Sequence, residues 1–103
     1  MENILINESK NEIKIIDFGF SRTITQKEKL NVFCGTPSYM APEVVSRKPY
    51  HPKPADVWAL GVMLFRIIAG SFPFLANDEK SLYNKIKTQE VVYPSSFSEN
   101  LKK

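Results

Sequence analysis

The chain reads Asp17-Phe18-Gly19, then Gly35-Thr36-Pro37-Ser38-Tyr39-Met40-Ala41-Pro42-Glu43, then Asp56-Val57-Trp58-Ala59-Leu60-Gly61. A tripeptide such as Asp-Phe-Gly is by itself weak evidence of a functional motif, but three such segments in this order and spacing do not arise readily by chance. The chain has 103 residues, which is room for one domain at most. The three motifs are therefore expected to belong to a single folded unit.

The composition is that of an ordinary globular protein, with 43% hydrophobic and 24% charged residues. A formal net charge of +3 is too small to indicate nucleic acid or a membrane surface as partner, and we expect neither. The most apolar stretch, residues 57–69, is interrupted by Arg66 and falls short of the ~20 residues of a spanning helix. Residues 22–53 carry six Lys and Arg side chains against two glutamates, a basic stretch able to meet phosphate or an acidic partner.

Cys34 is the only cysteine, so no disulfide can form within the chain. This suits a reducing compartment, and the N-terminus lacks the basic and long apolar regions of a signal peptide. We therefore expect an intracellular, cytoplasmic protein in which Cys34 is a small buried residue.

Two runs rich in β-branched residues, 4–7 and 12–16, flank a polar turn and predict an antiparallel hairpin. A turn centred on Lys10 places Asn3 opposite Asp17, with about 5 Å between their Cα atoms. The simplest expectation for Leu5 and Ile16 is that they form the core of the hairpin.

The remaining pattern predicts a long loop followed by helices. Residues 55–69 are apolar around nearly the whole helical circumference, which is typical of a helix buried on all sides. A chain this short has little material with which to surround such a helix. The predicted elements are a loop over 20–35, a short helix over 42–46, an irregular stretch over 47–54, a helix over 55–69 ended by Gly70, a helix capped by Asn77 with Leu82 and Ile86 on one face, and a helix start over 98–103.

The whole chain resembles the C-terminal lobe of a eukaryotic Ser/Thr protein kinase catalytic domain. Asp17-Phe18-Gly19 matches the family's DFG motif and Ala41-Pro42-Glu43 matches its A-P-E motif. Met1-Glu2-Asn3-Ile4-Leu5-Ile6 is similar to the end of the catalytic loop, H-R-D-L-K-x-E-N-I-L. The motif style is closest to the calcium/calmodulin-dependent and AMP-activated kinases.

The resemblance implies an α+β fold: a partial kinase domain over residues 1–103 without the N-terminal lobe. It would be mostly helical, with an N-terminal hairpin and a long activation loop, and would end just past the family's αG helix. A protein substrate or partner would contact the activation segment and the αG region.

The resemblance also implies ATP and Mg²⁺ as cofactors. It assigns Asn3 and Asp17 to the metal, in keeping with the oxygen ligands that Mg²⁺ prefers. Asp17 would contact the nucleotide as well, and Leu5 and Ile16 would form the floor of the adenine pocket.

Gly35-Thr36-Pro37 resembles the segment that receives the substrate residue beside the phosphoacceptor. Family members that phosphorylate serine and threonine typically carry a threonine at the position of Thr36. The resemblance therefore favours Ser/Thr specificity over tyrosine specificity.

Six further residues match structural positions of the family. Glu43 would pair with an arginine beyond Lys103, and Asp56 would accept hydrogen bonds from backbone that precedes Met1. In this chain both carboxylates are expected to be exposed or paired differently, because a buried charge without its partner costs about 3–5 kcal/mol. The six residues are Phe18, Gly19, Glu43, Asp56, Trp58 and Gly61.

The chain contains no catalytic residue that the resemblance can identify. The catalytic Asp would fall before Met1, and the glycine-rich loop and the phosphate-binding lysine have no counterpart among the 103 residues. The isolated chain is therefore expected to transfer no phosphate. Three readings remain open: part of an active kinase, a catalytically dead binding module or decoy, and a degenerate product with no stable fold.

Overall fold

The chain begins with a two-stranded antiparallel hairpin. In the computed structural model, which describes residues 2–102, strand β1 spans Ile4–Asn7 and strand β2 spans Glu12–Ile15. A single 3₁₀ turn over Glu8–Lys10 joins them, and Asn11 closes the turn in the left-handed conformation with φ 51°. Asparagine tolerates this conformation better than most residues, so the predicted hairpin forms where expected.

The register of the hairpin differs by one residue from the predicted one. Ile4 pairs with Ile15 and Asn7 with Glu12, because the turn is centred between two residues and not on Lys10. The amide of Ile16 donates to the carbonyl of Asn3 at 2.8 Å, so Asn3 lies opposite Ile16 and not opposite Asp17. The prediction of a directly opposed Asn3 and Asp17 was wrong.

The apolar side chains of the hairpin are exposed. Leu5 is 54% exposed and Ile16 is 38% exposed, so neither forms the core that the sequence suggested. A two-stranded hairpin has no second layer of its own to cover its apolar face, and the described part of the chain does not supply one.

Helix α1 spans Pro42–Val45 and helix α2 spans Pro52–Ala69. The prediction that residues 47–54 are irregular was wrong at its end, since α2 begins at Pro52. Pro52 and Pro54 lie in the first helical turn, where the missing N–H groups would have had no acceptor within the helix. The helix ends as predicted at Gly70, whose φ of 78° is left-handed.

Helix α3 spans Glu79–Thr88 and helix α4 spans Glu99–Lys102, while residues 20–35 form the predicted loop. The cap of α3 is Asp78 and not Asn77, because the Asp78 carboxylate accepts the amide of Ser81 at 2.8 Å. The last residue of the predicted helix start, Lys103, lies outside the described residues.

The core lies beneath the turn within the second motif, just before α1. A 3₁₀ turn over Pro37–Tyr39 and helices α1 and α3 enclose it, and α3 contributes Leu82 and Ile86 from one face, as predicted. The segment predicted to receive substrate is therefore anchored on the best-packed part of the chain. The core cluster comprises Met40, Ala41, Val44, Val45, Phe74, Leu82 and Ile86.

One long face of α2 is exposed. Val62 is its only buried residue within the described part of the chain. This confirms that the chain has too little material to surround an all-apolar helix. No helix over residues 2–102 is long and apolar enough to cross a membrane. The large apolar side chains on the exposed face are Val57, Leu60, Leu64, Ile67 and Ile68.

Candidate functional site

An open groove brings residues from the three sequence motifs together. Asp17 comes from the first motif, Gly35 and Thr36 from the second, and Asp56 from the third, and all four line this groove. The elements that position them are the end of β2, the 3₁₀ turn before α1 and the first turns of α2. Of the residues predicted to bind metal or nucleotide, Asp17 lines this groove, whereas Asn3, Leu5 and Ile16 do not.

Asp17 adopts an uncommon backbone conformation at the edge of this groove. Its φ of 64° is left-handed, and its Oδ1 atom accepts the amide of Gly19 at 3.2 Å. Short polar side chains tolerate this conformation because they form local hydrogen bonds of this kind. The bond fixes one carboxylate oxygen, and the side chain as a whole remains exposed.

The backbones of Asn3 and Asp17 are close at the open end of the hairpin, because Asn3 pairs with Ile16 and Asp17 follows it. The carbonyl of Asn3 binds the amide of Ile16, and Asp17 is the next residue. A carboxylate and an amide oxygen are ligands that suit Mg²⁺, which usually completes its shell with water and phosphate. No group of three or more His, Cys, Asp or Glu residues within 2–102 is placed to hold a metal.

Leu5 and Ile16 share one face of the hairpin with Asn3. Asn3 is opposite Ile16, and Leu5 is two residues from Asn3, and both relations place side chains on the same face. The observed register therefore groups these three residues, whereas the predicted register would have grouped Asn3 with Asp17.

The predicted substrate segment is a short turn with a defined entry. Gly35 has a φ of 112°, a conformation that other residues rarely adopt. Thr36 then precedes the 3₁₀ turn, and its side chain makes no capping hydrogen bond there. Since Thr36 is also exposed, its hydroxyl can interact with a group in the groove. Met40 and Ala41, both buried, anchor the segment from behind.

Tyr50 ties the loop to the start of α2, which the sequence did not reveal. Its backbone forms an antiparallel bridge with Leu30, with N···O distances of 2.8 and 2.9 Å, and its hydroxyl donates to the carbonyl of Val32 at 2.9 Å. Burial raises the pKa of Tyr50 above its ordinary value, and the nearby Cys34, Asp56 and Glu43 raise it further. The raised pKa extends to higher pH the range over which the phenol is protonated and donates this hydrogen bond.

Two arginines pack on aromatic rings around the substrate segment. The guanidinium of Arg47 lies 4.0 Å from the ring centroid of Phe33, which also meets Tyr83 edge-on at 5.8 Å. Arg66 lies 4.3 Å from the Phe72 ring and donates to the hydroxyl of Tyr39 at 3.1 Å. Sequence reasoning missed both arrangements, because neither arginine belongs to a recognisable motif.

The residues predicted to be structural are placed unevenly. Trp58 packs parallel to Phe74 with 6.2 Å between ring centroids, next to the core. Its buried Nε1 has no acceptor among the described residues. Phe18, Gly19, Asp56 and Gly61 are exposed, and Glu43 is half-buried. Both carboxylates were expected to be exposed or paired differently, and within residues 2–102 neither Glu43 nor Asp56 forms an ion pair. Exposed Asp56 meets that expectation in full, whereas half-buried Glu43 meets it only in part.

Comparisons with known proteins agree with the motifs. The family described as protein kinase domain matches residues 1–103. The chain is 44% identical to CBL-interacting protein kinase 10 of Oryza sativa subsp. japonica, over 99% of this chain and 23% of that protein. It is 42% identical to the eye isozyme of protein kinase C of Drosophila melanogaster, over 95% of this chain and 14% of that protein.

A third relative is the NUAK family SNF1-like kinase 1 of Mus musculus, which is 41% identical over 96% of this chain and 15% of that protein. The chain thus spans less than a quarter of the length of each of these three relatives. The three identities differ too little to favour one group of kinases over another.

Proposed function

This chain belongs to the eukaryotic serine/threonine protein kinase family, and from that premise we propose that it forms part of a domain that transfers phosphate from Mg-ATP to protein serine or threonine. In this proposal residues 1–103 correspond to the C-terminal lobe from the end of the catalytic loop onward, and residues 17–43 are its activation segment. The observation that carries the proposal is the groove shared by Asp17, Thr36 and Asp56.

On the nucleotide side, Asn3 and Asp17 would hold Mg²⁺, and Leu5 and Ile16 would offer an apolar surface to the adenine. The hydrogen bond from Gly19 to Asp17 orients the carboxylate before any ion binds, which lowers the cost of binding. When bound, Mg-ATP would supply the phosphoryl group, and the Mg²⁺ charge would offset the negative charge of the phosphate oxygens.

On the substrate side, Gly35, Thr36 and Pro37 would receive the residue beside the phosphoacceptor. Met40 and Ala41 follow this segment and are buried, so the segment is anchored to the core. Helix α3 packs against the same turn and extends the surface on which a protein substrate would lie. A reducing intracellular setting would suit the single, half-buried Cys34.

The metal site can be tested with Mn²⁺ as a paramagnetic substitute for Mg²⁺. Low Mn²⁺ concentrations should broaden the amide NMR signals of Asn3, Asp17 and their neighbours first, and the Asp17→Ala variant should lose this selectivity. Glu90→Ala removes an exposed carboxylate that does not line the groove, and it should behave as wild type. Equal broadening at Glu90 and Asp17, or no effect of Asp17→Ala, would count against the site.

We also propose that the 103-residue polypeptide by itself transfers no phosphate. In this proposal the two carboxylates of the groove, Asp17 and Asp56, are assigned to metal binding and to structure, and no described residue is assigned as the base for the substrate hydroxyl. The only histidine, His51, is exposed at the start of α2 and does not line the groove. Incubation with labelled ATP, Mg²⁺ and a serine-containing protein should give no labelled product. Labelling that disappears in Asp17→Ala would overturn this part of the proposal.

A second candidate function is a catalytically inactive binding module. The observation in its favour is the contrast between the substrate segment, which rests on the buried core, and the nucleotide side, which lies on an exposed hairpin. Nucleotide-independent binding of serine peptides by a cooperatively melting chain would support this function. A chain without a cooperative thermal transition would contradict both functions and indicate that it has no stable fold.

A further inference from the structure

Arg66 is a half-buried cation beside the proposed substrate segment that no assigned role explains. We infer that Arg66 selects protein substrates that carry a carboxylate side chain near the phosphoacceptor. The inference rests on the proposed function, because it requires that residues 35–37 receive the substrate. It adds a residue that determines specificity and names the chemistry that this residue recognises.

The position of Arg66 is fixed by two aromatic side chains. Its guanidinium lies over the ring of Phe72 at 4.3 Å and donates from Nη1 to the Tyr39 hydroxyl at 3.1 Å. The rings of Tyr39 and Phe72 meet edge-on at 5.3 Å, so each holds the other in place. Less side-chain entropy is lost when a guanidinium that is already positioned binds a ligand.

Tyr39 connects this arginine to the groove. It is the last residue of the 3₁₀ turn that follows Thr36, and it lines the same groove as Thr36 and Asp17. The guanidinium is therefore one hydrogen bond away from the wall of the groove. A peptide that lies along residues 35–39 would pass close to it.

The charge of Arg66 is not offset by a described carboxylate. The ion pairs in the described part of the chain are Arg22–Glu28 and Lys102–Glu99, and neither involves Arg66. A guanidinium has five N–H donors, and Arg66 uses one of them, for Tyr39, in its side-chain hydrogen bonds over residues 2–102. A carboxylate fits the remaining donors in a bidentate arrangement, which is among the stronger hydrogen-bonded pairs.

A purely structural role for Arg66 predicts a different behaviour. Arg66 lies in the last turn of α2, where a positive charge stabilises the C-terminal end of the helix dipole. That role would make substitutions change the stability of the chain, but it would not make peptide binding depend on the charge of the peptide. Peptide preference therefore separates the two roles.

The test uses the 103-residue chain and a set of labelled peptides of one length that contain a single serine. The peptides differ only in whether the residues flanking the serine are Glu, Ala or Lys, and binding is followed by fluorescence anisotropy. We expect the Glu peptides to bind about threefold to tenfold more tightly than the Ala peptides, as suits a partly exposed charged pair. The preference should shrink as salt is raised, because added ions screen the pair.

Four variants assign the preference to Arg66. Arg66→Gln should remove it, Arg66→Glu should reverse it in favour of the Lys peptides, and Arg66→Lys should keep part of it. Lys87→Gln removes an exposed positive charge on α3 and should leave the preference unchanged. Thermal melting of each variant checks that the variant is folded. The salt dependence of peptide binding by the wild type is a second test, and it does not depend on whether any variant folds.

The outcomes distinguish this inference from the proposed function. Equal affinity for Glu, Ala and Lys peptides refutes the role of Arg66 and leaves the substrate segment intact. A preference for Glu that persists in Arg66→Gln, or disappears in Lys87→Gln, also refutes it. Failure of every peptide to bind a folded chain contradicts the substrate segment itself, and the inference with it.

Discussion

Helix α2 offers a matched pair of substitutions that tests its one-sided burial. Val62 is 5% exposed and Val57 is 67% exposed, and both lie inside the same helix. Val62→Ala and Val57→Ala remove the same atoms from the same type of backbone. Any difference between the two variants therefore reports on burial alone.

The expected magnitudes follow from these exposures. The side chain of Val62 loses two buried carbon groups at about 0.8 kcal/mol each, and a cavity adds to that loss. The higher helix propensity of alanine returns about 0.5 kcal/mol. Val62→Ala should therefore lower the free energy of unfolding by about 1–2 kcal/mol. For Val57, about a third of the side chain is buried, so the loss is about 0.5 kcal/mol and the propensity gain cancels it.

Urea denaturation of the two variants and the wild type gives the difference directly from the midpoints, provided that the slopes agree. The melting temperature should fall by about 4–16 °C for Val62→Ala and should hardly change for Val57→Ala. Equal destabilisation by both substitutions would refute the reasoning, because it would show that the face of Val57 is covered in the folded chain. A dependence of the Val57→Ala effect on protein concentration would identify self-association as the cover.

Two further predictions concern the ends and the middle of helices. The amide and hydroxyl of Ser81 donate to the Asp78 carboxylate and lower its pKa. The charged cap should therefore stabilise the chain at neutral pH, and this stabilisation should be lost as the pH falls through the lowered pKa. Asp78→Asn should lack this component when the urea midpoint is followed from neutral to acid pH. Gly70→Ala should destabilise the chain by about 1 kcal/mol or more, because the φ of Gly70 is 78° and alanine is strained in that conformation. Gly61→Ala should stabilise the chain by about 0.5–1 kcal/mol, because alanine has the higher helix propensity and the added Cβ would meet no atom within 4 Å. Thermal melts measure both, and a loss at Gly61 would instead favour a close-packed structural role for that glycine.

The hairpin shows how far sequence patterns reach and where they stop. Two runs rich in β-branched residues around a polar turn were enough to predict two strands, but the register depended on Asn11 adopting a left-handed conformation. A slip of one residue moved Asn3 from opposite Asp17 to opposite Ile16. Turn geometry sets register, and several turn types suit the same polar residues.

Sequence patterns identified some of the residues that line the groove and missed others. The motifs indicated that Asp17 and Thr36 serve one reaction, and both line the same groove. The role of Tyr50 was missed because its backbone bridge to Leu30 depends on how the long loop over residues 20–35 packs against the start of α2. Pro52 and Pro54 read as helix breakers, although the first turn of a helix accepts them.

The sequence by itself determined the family, the order of strands and helices, and the C-terminal end of α2 at Gly70. These depend on short motifs and on local backbone preferences, which act between residues close in the chain. Only the tertiary structure decided that α2 is buried on one side, that Asn3, Leu5 and Ile16 share a face, and that Arg66 meets Tyr39, 27 residues away. Those facts depend on how distant segments pack, and no local pattern in the sequence specifies that packing.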